Sequence, residues 1–254
     1  MKSKLIYSLL AVLAFAYGCS SELVVKESGM KKQIEKKMTT NFEQKVSLNY
    51  LLALPKDYDK KEKWPLLMFL HGSGERGDNL ELLKKHGPPR LIEEGKEFPF
   101  IVVSPQCPSG IRWKTNALIA LIDEIIKNYN VDENRIYVTG LSMGGYGTWK
   151  LANEISDRLA AIVPICGWGD SWTICEIGDL PVWAFHGGKD NVVDPKKSQE
   201  LVDALKRCNG NVQFTLYPEA NHDSWTETYN NPRVYEWLLQ QSLEQRKKLN
   251  SNWF

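Results

Sequence analysis

The sequence predicts an α/β fold with a mostly parallel central sheet flanked by helices, and three observations carry that expectation. From about residue 41 onward, short apolar runs ending in Gly, Pro or Ser alternate with stretches of helical periodicity. The strand-like runs lack strict alternation, Leu66-Leu67-Met68-Phe69-Leu70 most plainly, as strands covered on both faces do. No Gly/Ser-rich linker and no internal repeat interrupts this alternation, which indicates one domain.

In chain order, strands are expected at Val46–Leu54, Pro65–His71, Phe100–Ser104, Arg135–Thr139, Ala160–Cys166, Pro181–His186 and Val212–Tyr217. Helices are expected between and after them. Ala117–Tyr129 places Leu118, Leu121, Ile122, Ile125 and Ile126 on one helical face, and Gly144–Ile155, Pro195–Lys206 and Pro232–Leu249 complete the set. The last two open on Pro, which suits a first turn, and Asp194 stands where it can cap the helix that Pro195 opens.

The 254 residues are 43% hydrophobic and 25% charged, a composition that excludes disordered and collagen-like chains. Lys and Arg number 32 against 31 Asp and Glu, a formal charge of +1, so no basic excess draws in polyanions. Nucleic acid is therefore not expected as a partner; the sequence leaves the oligomeric state open.

The N-terminus reads differently. Met1-Lys2-Ser3-Lys4 is a short positive head and Leu5–Tyr17 an apolar run, too short for a stable spanning anchor but suited to a secretory signal. Ala16-Tyr17-Gly18 before Cys19 is similar to the cleavage box of bacterial lipoproteins, departing from it at Ala16, where a larger aliphatic residue is usual. The expected organisation is a lipoprotein-type signal peptide at 1–18, a polar Lys-rich tether at 19–40 and a single domain at 41–254. Cys19 would carry lipid, anchoring an exported protein to a bacterial membrane, periplasmic or at the cell surface; an ordinary signal cut nearby is the alternative. Lipid at Cys19 is the only membrane contact expected.

Four cysteines remain: Cys107, Cys166, Cys175 and Cys208. They allow three pairings. The short loop between Cys166 and Cys175 favours that pair, with buried free thiols as the alternative. No CxxC or His/Cys cluster has zinc-ligand spacing, so no metal is expected.

The chemistry concentrates in Gly140-Leu141-Ser142-Met143-Gly144, a G-x-S-x-G pentad. Chance alone supplies such a pentad in about one chain in a dozen of this length. Context makes it specific: the strand Arg135–Thr139 runs into it and a helix runs out. That turn lifts a serine above the sheet in a strained backbone, with a helix N-terminus behind it to stabilise developing negative charge.

A serine nucleophile needs a base, and the base an orienting acid, in the order Ser, acid, His. The four histidines are His71, His86, His186 and His222, and only the last two follow Ser142. His186 ends the strand Pro181–Phe185, with Asp190 four residues on; His222 lies in the loop after Val212–Tyr217. Both loops leave the carboxyl ends of strands, where ligands bind in open α/β sheets. The assignment is Ser142 as nucleophile, His222 as general base then acid, and Asp190 as the group fixing the His222 tautomer. Asp194 is the rival acid, and Asp223 adjoins His222 but is expected to point elsewhere. His71 and His186 read as strand-end histidines bonded to backbone, and His86 as a surface helix residue. Two backbone N–H groups should form an oxyanion hole, one from Met143 and one from Ser73 or Gly74 in Gly72-Ser73-Gly74-Glu75-Arg76-Gly77.

Together Leu70-His71-Gly72-Ser73-Gly74-Glu75-Arg76-Gly77, Gly140–Gly145, Phe185-His186-Gly187-Gly188-Lys189-Asp190 and Asn221-His222-Asp223-Ser224-Trp225 resemble the single-domain α/β-hydrolases. More narrowly they resemble the phospholipase/carboxylesterase and dienelactone-hydrolase-like group, which includes feruloyl and acetyl-xylan esterases and secreted peptidases related to prolyl oligopeptidase. Ser104-Pro105-Gln106-Cys107-Pro108 with Trp113 also fits. The resemblance covers about residues 41 to 246 and implies an α/β-hydrolase fold and a hydrolase without metal or cofactor. Asp194 departs from the group, which has Pro after the acid loop.

Trp168 and Trp172 in the loop after Ala160–Cys166, Trp225 after His222 and Trp113 after Phe100–Ser104 suit stacking on sugar rings or an aromatic acyl group. No long insertion marks a lid between Ser142 and His222. The leading expectation is an exported carboxyl-ester hydrolase on short acyl or aryl esters, small or polymer-linked, such as decorations of plant polysaccharide. The alternatives are a secreted serine peptidase with the same triad and an inactive, lipid-tethered carbohydrate-binding protein.

Overall fold

The computed structural model describes Lys37 and residues 45–251. The expected signal peptide, Cys19 and all of the tether except Lys37 lie outside the described residues. Contacts divide the chain at Gln44/Lys45, and every element below belongs to the second unit, Lys45–Phe254.

Seven strands form one sheet: β1 (Tyr50–Ala53), β2 (Trp64–Leu70), β3 (Ile101–Pro105), β4 (Val131–Leu141), β5 (Ala161–Ile165), β6 (Val182–Gly187) and β7 (Val212–Tyr217). Their order is β1-β3-β2-β4-β5-β6-β7. Only β1 is antiparallel, pairing with β3; every other pair is parallel. Each strand falls where an apolar run predicted one. β4 starts earlier than expected, because Val131 pairs with Trp64 before the register shifts and the regular ladder begins at Ile136.

The uninterrupted run in β2 is explained by two cores. Leu66, Met68 and Leu70 face one, with Leu118, Ile122, Leu151, Ala152 and Leu201 from α2 (Thr115–Asn128), α3 (Met143–Ile155) and α4 (Lys196–Arg207). Leu67 and Phe69 face the other, with Leu91, Tyr229, Val234 and Leu238 from α1 (Gly87–Glu93), α5 (Trp225–Asn230) and α6 (Pro232–Leu239). Successive side chains of one strand thus enter opposite cores, and polar residues on either face would leave an apolar layer uncovered. Each fully buried Leu or Phe contributes about 1.5–3 kcal/mol to holding the layers together.

Three expectations change. The terminal helix divides into α6 and α7 (Leu243–Ser251), because the buried face of Val234, Tyr235 and Leu238 ends there. The turn between them is tied down by Tyr137, whose hydroxyl donates to the Gln241 carbonyl at 2.8 Å. Beyond it Arg246 donates to the carbonyls of Ser156 and Leu159 and pairs with Asp179. Second, the disulfide joins Cys175 to Cys208, not Cys166 to Cys175; Cys107 and Cys166 are free and buried. Cys166 follows β5 directly and lies inside the core, whereas Cys175 sits outside it, 6.0 Å (Cα to Cα) from Cys208, which follows α4. Third, α1 and α5 form outside the ranges expected to be helical.

Candidate active site

β4 delivers Ser142 at its carboxyl end, and α3 starts one residue later. Ser142 has φ 53° and ψ −115°, a left-handed backbone that a non-glycine residue holds at a cost of about 1–3 kcal/mol. The strain comes from how tightly α3 is wedged onto the sheet. A Cβ on Gly144 would stand 1.8 Å from the carbonyl oxygen of Leu70 at the end of β2, and one on Gly140 would stand 2.5 Å from the carbonyl oxygen of Gly144. The glycines of the pentad therefore let backbone meet backbone, leaving Ser142 raised and half-exposed at the rim.

Three loops from three strand ends meet there. Asp190 Oδ2 accepts from His222 Nδ1–H at 2.7 Å, and His222 Nε2 accepts from the Ser142 hydroxyl at 3.0 Å. Because a carboxylate can only accept, the His222 proton sits on Nδ1, which leaves Nε2 free to take a proton from Ser142. Asp190 is buried, its other oxygen accepting from the backbone N–H of Val192 at 2.8 Å and of Val193 at 3.0 Å. Burial pushes its carboxyl up, but the His222 bond and the N–H groups of Val193 and Val192 outweigh that and hold it below the ordinary value.

Asp194 does not reach this cluster; its carboxylate accepts from the Lys196 N–H at the start of α4. Asp223 accepts from the backbone N–H and the hydroxyl of Thr226, in the first turn of α5.

His186 has a larger part than a strand-end histidine. Fully buried, its Nε2–H points at Asp190 Oδ2 (3.1 Å) and the Val193 carbonyl (3.0 Å), and its Nδ1 accepts from the Ser198 hydroxyl at 2.7 Å. Two acceptors at Nε2 fix that tautomer. Burial, partly offset by the Val193 carbonyl and Asp190, keeps the ring's pKa low, so it serves as a neutral donor to the carboxylate. The spacing from His186 to Asp190 carried this signal in the sequence, because both leave the same strand end.

On the opposite side lies the loop after β2. Ser73 and Gly74 head a 3-10 turn and are exposed, and the first N–H groups of such a turn have no partner within it. Met143 heads α3 in the same way. The loop is held from behind by His71, whose Nδ1–H donates to the Gly72 carbonyl at 2.6 Å while Nε2 accepts from the Cys107 N–H at 2.9 Å. Burial lowers its pKa to about 4.

The tryptophans separate. Trp113 is only 3% exposed and donates to the His71 carbonyl, so it supports the loop from inside and is not part of a binding rim. Trp225 is half-buried and meets the His222 ring edge-on at 5.2 Å. Trp168 stacks on Tyr146 at 5.1 Å, with the Arg112 guanidinium within 6 Å of both rings. Trp172, 93% exposed, tips the same loop. A groove of about 350 Å³ lined by Tyr146, Lys150, Gly169, Asp170 and Thr173 extends this shelf. Tyr146, one turn past Ser142, and Arg112 were not picked out from sequence. His86 is no surface helix residue: it is half-buried ahead of α1 and its Nδ1 accepts from Trp225 Nε1–H at 3.3 Å.

Among the described residues, one set of potential metal ligands converges, Cys166, Asp190 and His222. It does not fit a metal. The His222 and Asp190 atoms are engaged with each other, and burial keeps the Cys166 thiol protonated.

A profile of the phospholipase/carboxylesterase family matches residues 98–233. The chain is 29% identical over 182 residues to the bifunctional acetylxylan esterase/xylanase XynS20E of Neocallimastix patriciarum, a match over 68% of this chain and 26% of that protein. It is 27% identical over 188 residues to feruloyl esterase D of Neurospora crassa, over 68% of this chain and 63% of that one. A crystal structure of a thermostable esterase superposes with a TM-score of 0.68 at 37% identity, over 78% of this chain and 60% of that one. The chain thus spans about a quarter of XynS20E and less than two thirds of the other two.

Proposed function

The chain belongs to the phospholipase/carboxylesterase family, with its α/β-hydrolase fold, and from that premise we propose that it is an exported serine carboxyl-ester hydrolase. The single observation that carries this reading is His222, 3.0 Å from the Ser142 hydroxyl on one ring nitrogen and 2.7 Å from Asp190 on the other. Its substrates would be short acyl or aryl esters attached to carbohydrate. The likeness to acetylxylan and feruloyl esterases and the Tyr146–Trp168 shelf beside the nucleophile support that class.

The reaction follows from the donors and acceptors. As Ser142 Oγ attacks the ester carbonyl carbon, its proton passes to His222 Nε2. The carbonyl oxygen becomes an oxyanion facing the N–H of Met143 and that of Ser73 or Gly74, each such donor being worth a few kcal/mol in the transition state. Collapse breaks the bond to the leaving oxygen, which takes the proton from His222 Nε2–H and departs as an alcohol. Water then attacks the acyl-serine, giving a proton to His222; the second collapse frees the acid and returns that proton to Ser142. Throughout, the Asp190 carboxylate stabilises the imidazolium without taking its proton.

Export is supported by the signal-like N-terminus and by the Cys175–Cys208 disulfide, a bond that persists in oxidising compartments. Lipid on Cys19 is part of the same reading, and mass spectrometry of the N-terminal peptide tests it.

The functional test is a panel of acetylated, feruloylated and peptide substrates with wild-type and Ser142→Ala protein. The expected result is release of acid from the esters and loss of that release in Ser142→Ala. Cleavage of peptides without esters would move the reading to a serine peptidase, and an unchanged rate in Ser142→Ala would end it.

A further inference from the structure

Glu75 has no part in the reaction just described, yet it sits within the oxyanion loop. Its side chain is nine-tenths buried, with 10% of its surface open. A carboxylate so placed ordinarily accepts several hydrogen bonds. Among the described residues, the basic nitrogens that approach it, His71 Nδ1 and His86 Nε2, both stand at 3.8 Å, too far for a hydrogen bond.

Neither histidine reaches it at that distance. The His71 Nδ1–H is committed to the Gly72 carbonyl at 2.6 Å. His86 accepts from Trp225 on Nδ1 and so carries its hydrogen on Nε2, toward Glu75, but the ring stands 3.8 Å off, and Trp225 in turn packs edge-on against His222. The carboxylate therefore lies in a wall shared by the oxyanion loop, His86 and Trp225. One of its oxygens is 3.2 Å from where a Cβ of Gly72 would stand, and Gly72 itself packs against Leu141, the residue before Ser142.

We propose that Glu75 is a specificity-determining residue that accepts a hydrogen bond from a hydroxyl carried by the ester substrate, beside the scissile bond. The claim rests on the esterase reading and narrows its substrates to hydroxylated esters. A hydroxyl fits better than an ammonium group, because Arg76, bonded to the Ser73 and Ile111 carbonyls, and Arg112 place positive charge on the same rim. The aromatic edges of Trp225 and His86 alongside suit a ring that bears the hydroxyl. The hydroxyl can belong to an aryl acyl group or to the sugar that is esterified, and paired substrates separate the two. One pair is methyl 4-hydroxycinnamate and methyl cinnamate; the other is an acetylated xyloside and its deoxy counterpart.

Wild-type protein should favour the hydroxylated member of one pair in kcat/KM by about 10- to 100-fold. Glu75→Leu should bring that ratio near one while melting no lower than wild type, since it removes a buried charge. Glu75→Gln, which keeps an acceptor, should retain an intermediate ratio. A wild-type ratio near one in both pairs, or a ratio that neither variant changes, would overturn the proposal. Turnover of the deoxy esters, lost in Ser142→Ala, reads the esterase activity separately. If no ester is turned over, binding of 4-hydroxycinnamate against cinnamate, followed by tryptophan fluorescence in wild type and Glu75→Leu, still decides the role of Glu75.

Discussion

Replacing Asp190 by Asn separates the role of the acid from its place in the fold. The amide oxygen can keep both N–H bonds, from Val192 at 2.8 Å and Val193 at 3.0 Å. The amide nitrogen then takes the position of Oδ2, a donor facing the Nδ1–H of His222 and the Nε2–H of His186. Both rings answer by shifting a proton. His186 moves its hydrogen to Nδ1 and donates to Ser198, whose hydroxyl turns to the Gly167 carbonyl 3.3 Å away. This sacrifices the bond to Val193, a loss of about 1 kcal/mol. His222 moves its hydrogen to Nε2, where it faces Ser142 and can no longer accept that proton. The expected outcome is a fall of about ten-thousand-fold in kcat, or about 5 kcal/mol of barrier, against a small change in folding stability. Hydrolysis of a short-chain nitrophenyl ester and a circular-dichroism melt measure the two together. An Asp190→Asn protein active within tenfold of wild type, with Asp194→Asn inactive, would refute the reasoning and make Asp194 the acid.

Other consequences are independent of the acid. His71 is neutral when folded, its pKa lowered to about 4, so stability is complete above the unfolded value near 6.5 and declines as pH falls from there toward 4. The loss is about 3 kcal/mol, and melts across that window should be flatter in His71→Gln. The Cys175–Cys208 bond closes a loop of 33 residues, so the double serine variant should lose about 3–4 kcal/mol. Alkylation mapping of the native chain should leave Cys107 and Cys166 as thiols and Cys175 and Cys208 protected. Gly144→Ala should fail to give a stable folded protein, because its methyl would overlap the Leu70 carbonyl; circular dichroism of the purified variant checks this.

The sheet was legible because its strands are covered on both faces, so each announces itself as an apolar run without alternation. Short helices were not: α1 opens on Gly87-Pro88-Pro89 and α5 is mostly polar, and each is fixed by tertiary packing, Leu91 and Tyr229 entering the same core. Within the site, Ser142, Asp190 and His222 could be placed together because each ends a strand at one edge. What surrounds them could not. The His186 bond to Asp190 depends on ring orientation, and Trp113 reads like a rim residue until its N–H is seen pointing into the core at His71. The disulfide pairing was not legible because loop length says nothing of whether a cysteine is buried behind a strand end, as Cys166 is.

Labelling with a fluorophosphonate, followed by peptide mass spectrometry, tests the central claim most directly. One adduct is expected, on Ser142, formed by wild-type protein and lost in Ser142→Ala and His222→Ala. A chain that stays unlabelled while folded, or carries its adduct on another residue, would contradict the account.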